Sequence, residues 1–152
     1  MKNILLSIMA IFALSLVSCD NEMVFRDAFY PFSTDFPKDG MTIEAAGAHI
    51  EISSTSKQLD GSVCPMEVSK GGDYKHYSYG DYDYKEGDWF KISCNRHSGW
   101  CYVDIKPNES GKERTLMFSL SGIGRNIPDG YKGWADQVIK ITQKVIFIKK
   151  EI

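Results

Sequence analysis

The chain has 152 residues, with 18 Lys and Arg against 20 Asp and Glu and a net charge of −2. That balance excludes a nucleic-acid binder working through a basic surface. Setting aside residues 1–18 of the 152 as a targeting segment leaves 134, one domain of ordinary size that can bury a core without staples.

The targeting segment comes first. Lys2 supplies a positive start, and Ile4 to Val17 is an apolar run too short for a usual membrane span. Leu16-Val17-Ser18-Cys19 then fits a bacterial lipobox, in which Cys19 is lipidated and becomes the mature N-terminus. The alternative is a plain secretory signal with Cys19 there by coincidence. Several acyl chains on one cysteine anchor stably, since one chain is marginal and two suffice. Asp20, Asn21 and Glu22 resemble the acidic signal that sends such lipoproteins to the outer face of the outer membrane. The expected location is therefore the outer membrane, lipid-anchored and exposed at the cell surface.

Residues 19–37 are the lipidated N-terminus and a linker or first edge strand. Val24, Phe25, Phe29, Tyr30, Phe32 and Phe36 make this stretch too apolar for a pure tether. Residues 28–36 are expected to pack on the domain that follows, 38–152. There, Met41–Ala45 and His49–Ser54 read as strands, with Ala46-Gly47-Ala48 as a turn and Ile50 and Ile52 facing inward. Val63–Val68 is a third strand, which Pro65 confines to an edge or a bulge.

Residues 71–88 hold five of the eight tyrosines. Gly and Asp punctuate the stretch as a loop or hairpin tip. Tyr77 and Tyr79 can share one side of an extended chain, as can Tyr82 and Tyr84. A tyrosine has a flat apolar face and a polar tip, which suits a partly wet contact surface. Sugar rings stack on such faces while nearby Asp and Lys bond the hydroxyls, so Tyr74, Tyr77, Tyr79, Tyr82 and Tyr84 are candidate glycan-binding residues. A plainer reading has them covering the edge of the fold. Asp73, Asp81, Asp83, Glu86 and Asp88 lack the spacing of a calcium loop, and no metal site is expected.

Residues 89–122 give the clearest period of two. Phe90, Ile92 and Cys94 alternate with Lys91 and Ser93; Cys101, Val103 and Ile105 with Tyr102 and Asp104; Leu116, Phe118 and Leu120 with Met117 and Ser119. The links, 95–100 and 107–114, suit turns and suggest hairpins. Of four cysteines, one serves the lipid and three remain. Cys94 and Cys101 share the apolar parity of adjoining strands. If they face each other, their Cβ atoms lie roughly 4.5–5.5 Å apart, near the reach of a disulfide. An exported protein favours that bridge; two buried thiols are the alternative, and Cys64 is either the odd cysteine or a competing partner.

Gln137–Lys149 reads as a long last strand with a bend near Gln143-Lys144, and Gln143 as a structural residue that bonds to backbone. Residues 123–135 form a loop in which Tyr131 or Trp134 caps the core or lies exposed.

Taken in order, Trp89-Phe90-Lys91-Ile92, Val103-Asp104-Ile105-Lys106-Pro107-Asn108, Gly111-Lys112-Glu113-Arg114 and Ile139-Lys140-Ile141-Thr142-Gln143 resemble the BACON family. These are small Ig-like β-sandwich modules of bacterial surface proteins, often next to glycan-degrading enzymes. Ala45-Ala46-Gly47 with Ile50-Glu51-Ile52 resembles the family's opening hairpin. The tyrosine segment and the run past Gln143 depart from the pattern. The resemblance implies an all-β, Ig-like antiparallel sandwich of about seven strands. It also implies a module presumed to bind glycans or to assist their use.

His49, His76 and His97 are scattered, and no nucleophile elbow, phosphate loop or dinucleotide fingerprint occurs. No catalytic residue and no cofactor is expected. The expected partners are the membrane, through the lipid on Cys19, and a glycan or an envelope protein. The competing expectation is a structural or protein-interaction lipoprotein with no sugar binding.

Overall fold

The computed structural model describes residues 29–56, 62–123, 127 and 130–146; the signal segment, Cys19 and residues 147–152 lie outside them. Among the described residues there are nine strands: β1 (Met41–Ile43), β2 (Ala48–Ser53), β3 (Ser62–Lys70), β4 (Tyr74–Tyr79), β5 (Tyr82–Gly87), β6 (Phe90–Asn95), β7 (Trp100–Ile105), β8 (Arg114–Ile123) and β9 (Gln137–Gln143). They form a β-sandwich of two sheets, ordered β1-β9-β8-β3 and β2-β7-β6-β5-β4.

The order is Ig-like once the β4–β5 hairpin is set aside. An Ig constant domain places its second, fifth and fourth strands in one sheet and its third, sixth and seventh in the other. Here β2-β7-β6 and β3-β8-β9 occupy those places. The tyrosine-rich stretch is an added hairpin that extends one sheet by two strands.

The alternating residues explain the packing. Ile50, Ile52, Phe90, Ile92, Cys94, Cys101, Val103 and Ile105 point inward from one sheet. Ile43, Val63, Leu116, Phe118, Leu120, Ile139 and Ile141 meet them from the other. Each such side chain taken out of water contributes about 1.5–3 kcal/mol. Phe32, Phe36 and Trp134 join the same core. Residues 29–36 therefore pack as expected, held by bridges of Tyr30 to Trp134 and of Thr34 to Ser54 rather than by a full strand. β3 lies at a sheet edge with register breaks after Pro65 and Val68.

Two connections differ from the hairpins expected. β1 pairs parallel with β9, whereas β2 pairs antiparallel with β7, so the opening "hairpin" is a crossing between sheets and the fold is not wholly antiparallel. Gly47 makes the crossing possible: its φ is +90°, and a Cβ there would stand 2.3 Å from the Ile105 carbonyl oxygen. The 107–113 link likewise passes from β7 to β8 in the opposite sheet. Alternation shows which face of a strand is buried, but both sheets bury one face, so it does not assign a strand to a sheet.

β9 ends at Gln143 rather than running to 149. Cys94 lies directly opposite Cys101, and the structure holds Cys64, Cys94 and Cys101 as free thiols. Register brings the two sulfurs together; joining them takes an oxidant as well. Burial, and then the bond to Cys101, push the Cys94 thiol well above its usual range. In the reduced folded protein, maleimide at pH 8 is expected to leave Cys94 unlabelled while it labels a denatured control; rapid labelling in the folded state would contradict that burial.

Candidate functional site

In-register residues on neighbouring strands share a face of the sheet. In the five-stranded sheet the registers run Tyr77↔Tyr84, Tyr84↔Ser93 and Ser93↔Tyr102. The next row holds Tyr79, Tyr82 and Asn95, with Trp100 one step beyond the Cys94↔Cys101 pair. Cys94, Cys101, Ile92 and Val103 occupy the other parity, against the core. The outward face of this sheet therefore carries the rings of Tyr77, Tyr79, Tyr82, Tyr84, Trp100 and Tyr102.

The rings form two groups with a trough between them. On one side Tyr77 stacks on Tyr84 at 4.9 Å between centroids, and Tyr82 lies 6.0 Å from Tyr84. On the other, Trp100 and Tyr102 are parallel at 6.5 Å, and the His49 ring stacks on Tyr102 at 5.8 Å. Ser93, only 8% exposed, is the low floor. Tyr84 and Tyr102 are two strand spacings apart, or about 10 Å at the backbone.

Polar contacts fix the rings. The Tyr77 hydroxyl donates to Glu86 Oε2 at 2.5 Å, and that bond raises the Tyr77 pKa. Lys91 Nζ sits 4.7 Å over the Tyr84 ring. His49 Nδ1 meets Asp104 Oδ1. Lys91, Glu86, Asp104 and His49 thus border the aromatic rows with groups able to bond hydroxyls. A separate depression of about 470 Å³ lies at the open end of the β4–β5 hairpin, lined by Asp73, Tyr74, Lys75, Glu86, Gly87, Asp88 and Lys106.

Four of the five candidate tyrosines come together; Tyr74 does not. It has the opposite parity in β4 and lies across the sheet, with Lys85 Nζ 5.1 Å from its ring. Trp100 and Tyr102 complete the face and were not singled out in the sequence. The outward parity of Tyr102 was visible there, but Trp100 reads as part of a turn, and strand adjacency is what brings both opposite Tyr82 and Tyr84.

The carboxylates of the hairpin go to separate partners, and among the described residues no group of three metal-ligating side chains gathers. Asp83 takes the Arg96 guanidinium at 2.8 Å and the Ser78 hydroxyl at 2.5 Å. Burial alone would raise its pKa, but these bonds outweigh burial and hold it below its ordinary value. A carboxylate depressed in this way adds stability that is complete above its unfolded pKa, about 3.9, and is lost as pH falls through the lower folded value. An NMR titration is expected to place the Asp83 midpoint below about 3.9; a midpoint at or above that value would contradict the contact.

A second group of side chains, Trp89, Arg114, Gln143 and Asn108, lies where the chain passes between the sheets. Arg114 lies 4.3 Å over the Trp89 ring, and its Nε donates to Gln143 Oε1 at 2.8 Å. Gln143 Nε2 donates to the carbonyls of Lys106 and Ala45 at 2.9 and 3.1 Å. Asn108 Nδ2 donates to the carbonyls of Lys112 and Lys144 at 2.8 and 2.9 Å. Every one of these groups is spent on holding the inter-sheet connections, as expected for Gln143.

No protein-family model matches the chain, and no curated protein matches it. An NMR structure of a protein from Bacteroides thetaiotaomicron is similar, with a TM-score of 0.53 and 16% identity over 86% of this chain and 97% of that one. Likeness at that identity speaks for the fold alone.

Proposed function

We propose that this is a lipid-anchored β-sandwich module of the outer-membrane surface, held by acyl chains on Cys19, that binds glycans and performs no catalysis. The observation that carries the reading is the outward face of the five-stranded sheet. Six aromatic rings lie along two rows there, flanked by Lys, Glu, Asp and His. Exposed parallel rings with hydroxyl-bonding neighbours suit the C–H faces and hydroxyls of pyranose sugars. The rings are tied by stacking and hydrogen bonds, which lowers the ordering cost on binding. The BACON resemblance points the same way.

A glycan array probed with the soluble chain lacking residues 1–20 tests the glycan reading. Binding that disappears when Tyr82, Tyr84, Trp100 and Tyr102 are changed to Ala, with the fold retained, is the expected result. No binding across the array would sink it and leave a protein partner in the envelope. Anchoring is tested separately. Labelled palmitate is expected on the wild-type chain and absent from Cys19→Ser. Export to an oxidising compartment also favours closing Cys94 to Cys101. Peptide mapping of unreduced protein from the envelope is expected to find those two peptides linked; both thiols free would sink the bridge.

A further inference from the structure

An open sheet edge is a template for another strand, and sandwiches block their edges by short strands, charged side chains such as Lys, Pro, bulges or covering chain. Three of the four edges here are shortened, interrupted or covered in part by described residues. β1 has three residues. β3 carries Pro65 and two register breaks. β2 is covered at its end: Asp35 N–H donates to the Ser53 carbonyl, Ser53 N–H and Oγ donate to the Asp35 carboxylate, and Thr34 bridges Ser54.

Among the described residues β4 has one of these devices, the single charge of Lys75, and has neither Pro, bulge nor covering chain. It runs six residues, all exposed, and pairs with β5 from Tyr74↔Gly87 to Tyr79↔Tyr82 without a register break. It contains no Pro, and its only basic groups are Lys75 and His76.

We propose that a second copy of this chain adds across the β4 edge, antiparallel and centred on Tyr77, to make a dimer with one continuous sheet. The strand's own sequence selects that occupant and that register. A two-fold axis normal to the sheet sets residues of like parity opposite one another. Centred on Tyr77, it opposes Tyr77 to Tyr77, Lys75 to Tyr79 and His76 to Ser78. No charge then meets its like, and each Lys75 ammonium faces a ring. The chain already makes that contact twice, Lys91 on Tyr84 and Lys85 on Tyr74. Centring on His76 would oppose His76 to itself, and centring on Ser78 would leave Lys75 beyond the paired segment. The Tyr77-centred pairing leaves the outward face free and joins the tyrosine rows of both copies.

The test is cysteine cross-linking in the full chain under copper-phenanthroline, with Tyr77→Cys and Lys75→Cys compared against the parent. Directly opposed Cβ atoms lie roughly 4.5–5.5 Å apart, near disulfide reach, whereas Lys75 stands four residues out of register with its own copy. The expected result is a covalent dimer for Tyr77→Cys well above that of the parent and Lys75→Cys, together with concentration-dependent dimerisation of the parent in sedimentation. Equal cross-linking at both positions overturns the register. A monomer at all concentrations with no Tyr77→Cys dimer overturns the proposal and leaves the edge to an extended segment of another protein. Glycan binding is read on the array, so loss of one claim leaves the other standing.

Discussion

Gln143→Ala is expected to lower the unfolding free energy by about 3 kcal/mol, the upper range for leaving buried polar groups without partners. Gln143 is 0% exposed. Its amide ties β9 to both crossings between the sheets and to its ladder partner on β8: Nε2 reaches Ala45 on the β1–β2 crossing and Lys106 on the β7–β8 crossing, and Oε1 accepts from Arg114 on β8. Alanine leaves the Arg114 Nε–H without that acceptor in a site where burial already lowers the Arg114 pKa. It also opens a cavity at the end of β9. Gln143→Glu is expected to retain part of the loss in stability, because a carboxylate keeps the Arg114 bond but cannot donate to the two carbonyls. Urea unfolding of the three proteins measures this directly. A loss below about 0.5 kcal/mol for alanine, the usual range for surface changes, would show that the knot is redundant.

The same knot shows where the sequence was legible and where it was not. The burial of Phe90, Ile92, Val103, Leu116, Phe118, Ile139 and Ile141 followed from a period of two, because one residue in two on a sandwich strand must face the core. Pro65 marked an edge strand because it cannot donate to a ladder. Gln143 was legible as structural because it interrupts an apolar parity. The crossings at 44–47 and 107–113 were not legible. A short Gly- or Asn-containing link serves a hairpin and an inter-sheet crossing equally, and only the competition among pairings over the whole fold decides. The end of β9 at Gln143 was obscured for a related reason: Val145 continues the parity, but the inward-turned amide of Gln143 and the Lys144 N–H bond to Ile43 close the strand there.

The candidate site divides along the same line. Parity within β4 and β5 grouped Tyr77 with Tyr79 and Tyr82 with Tyr84, and the hairpin register joined the two pairs. Tyr74 was included on composition, although it is three residues from Tyr77 and so points the other way. Trp100 and Tyr102 lie 16 or more residues away in sequence from Tyr84. Their place on the face depends on β6 lying between β5 and β7, which is a statement about the sheet rather than about any one strand.

Trp100→Ala and Tyr84→Ala are each expected to weaken glycan binding about 30-fold or more, the effect of roughly 2 kcal/mol that truncating a central aromatic anchor produces. The two rings stand on opposite sides of the Ser93 trough, so a ligand spanning it must use both. Tyr84 is also the ring on which Tyr77 stacks and over which Lys91 sits, so its removal loosens two neighbours at once. Trp100 is 41% exposed and its loss is expected to change stability by less than about 1 kcal/mol. That separates a binding defect from a folding one. Tyr79, 78% exposed, lies farther from the trough and is expected to matter less. Tyr74→Ala, on the far face, is the control and is expected to bind as wild type. Titration calorimetry with a glycan taken from the array measures all four. Equal losses for Tyr74 and Tyr84 would detach binding from this face, and a loss for Tyr84 alone would confine it to the hairpin.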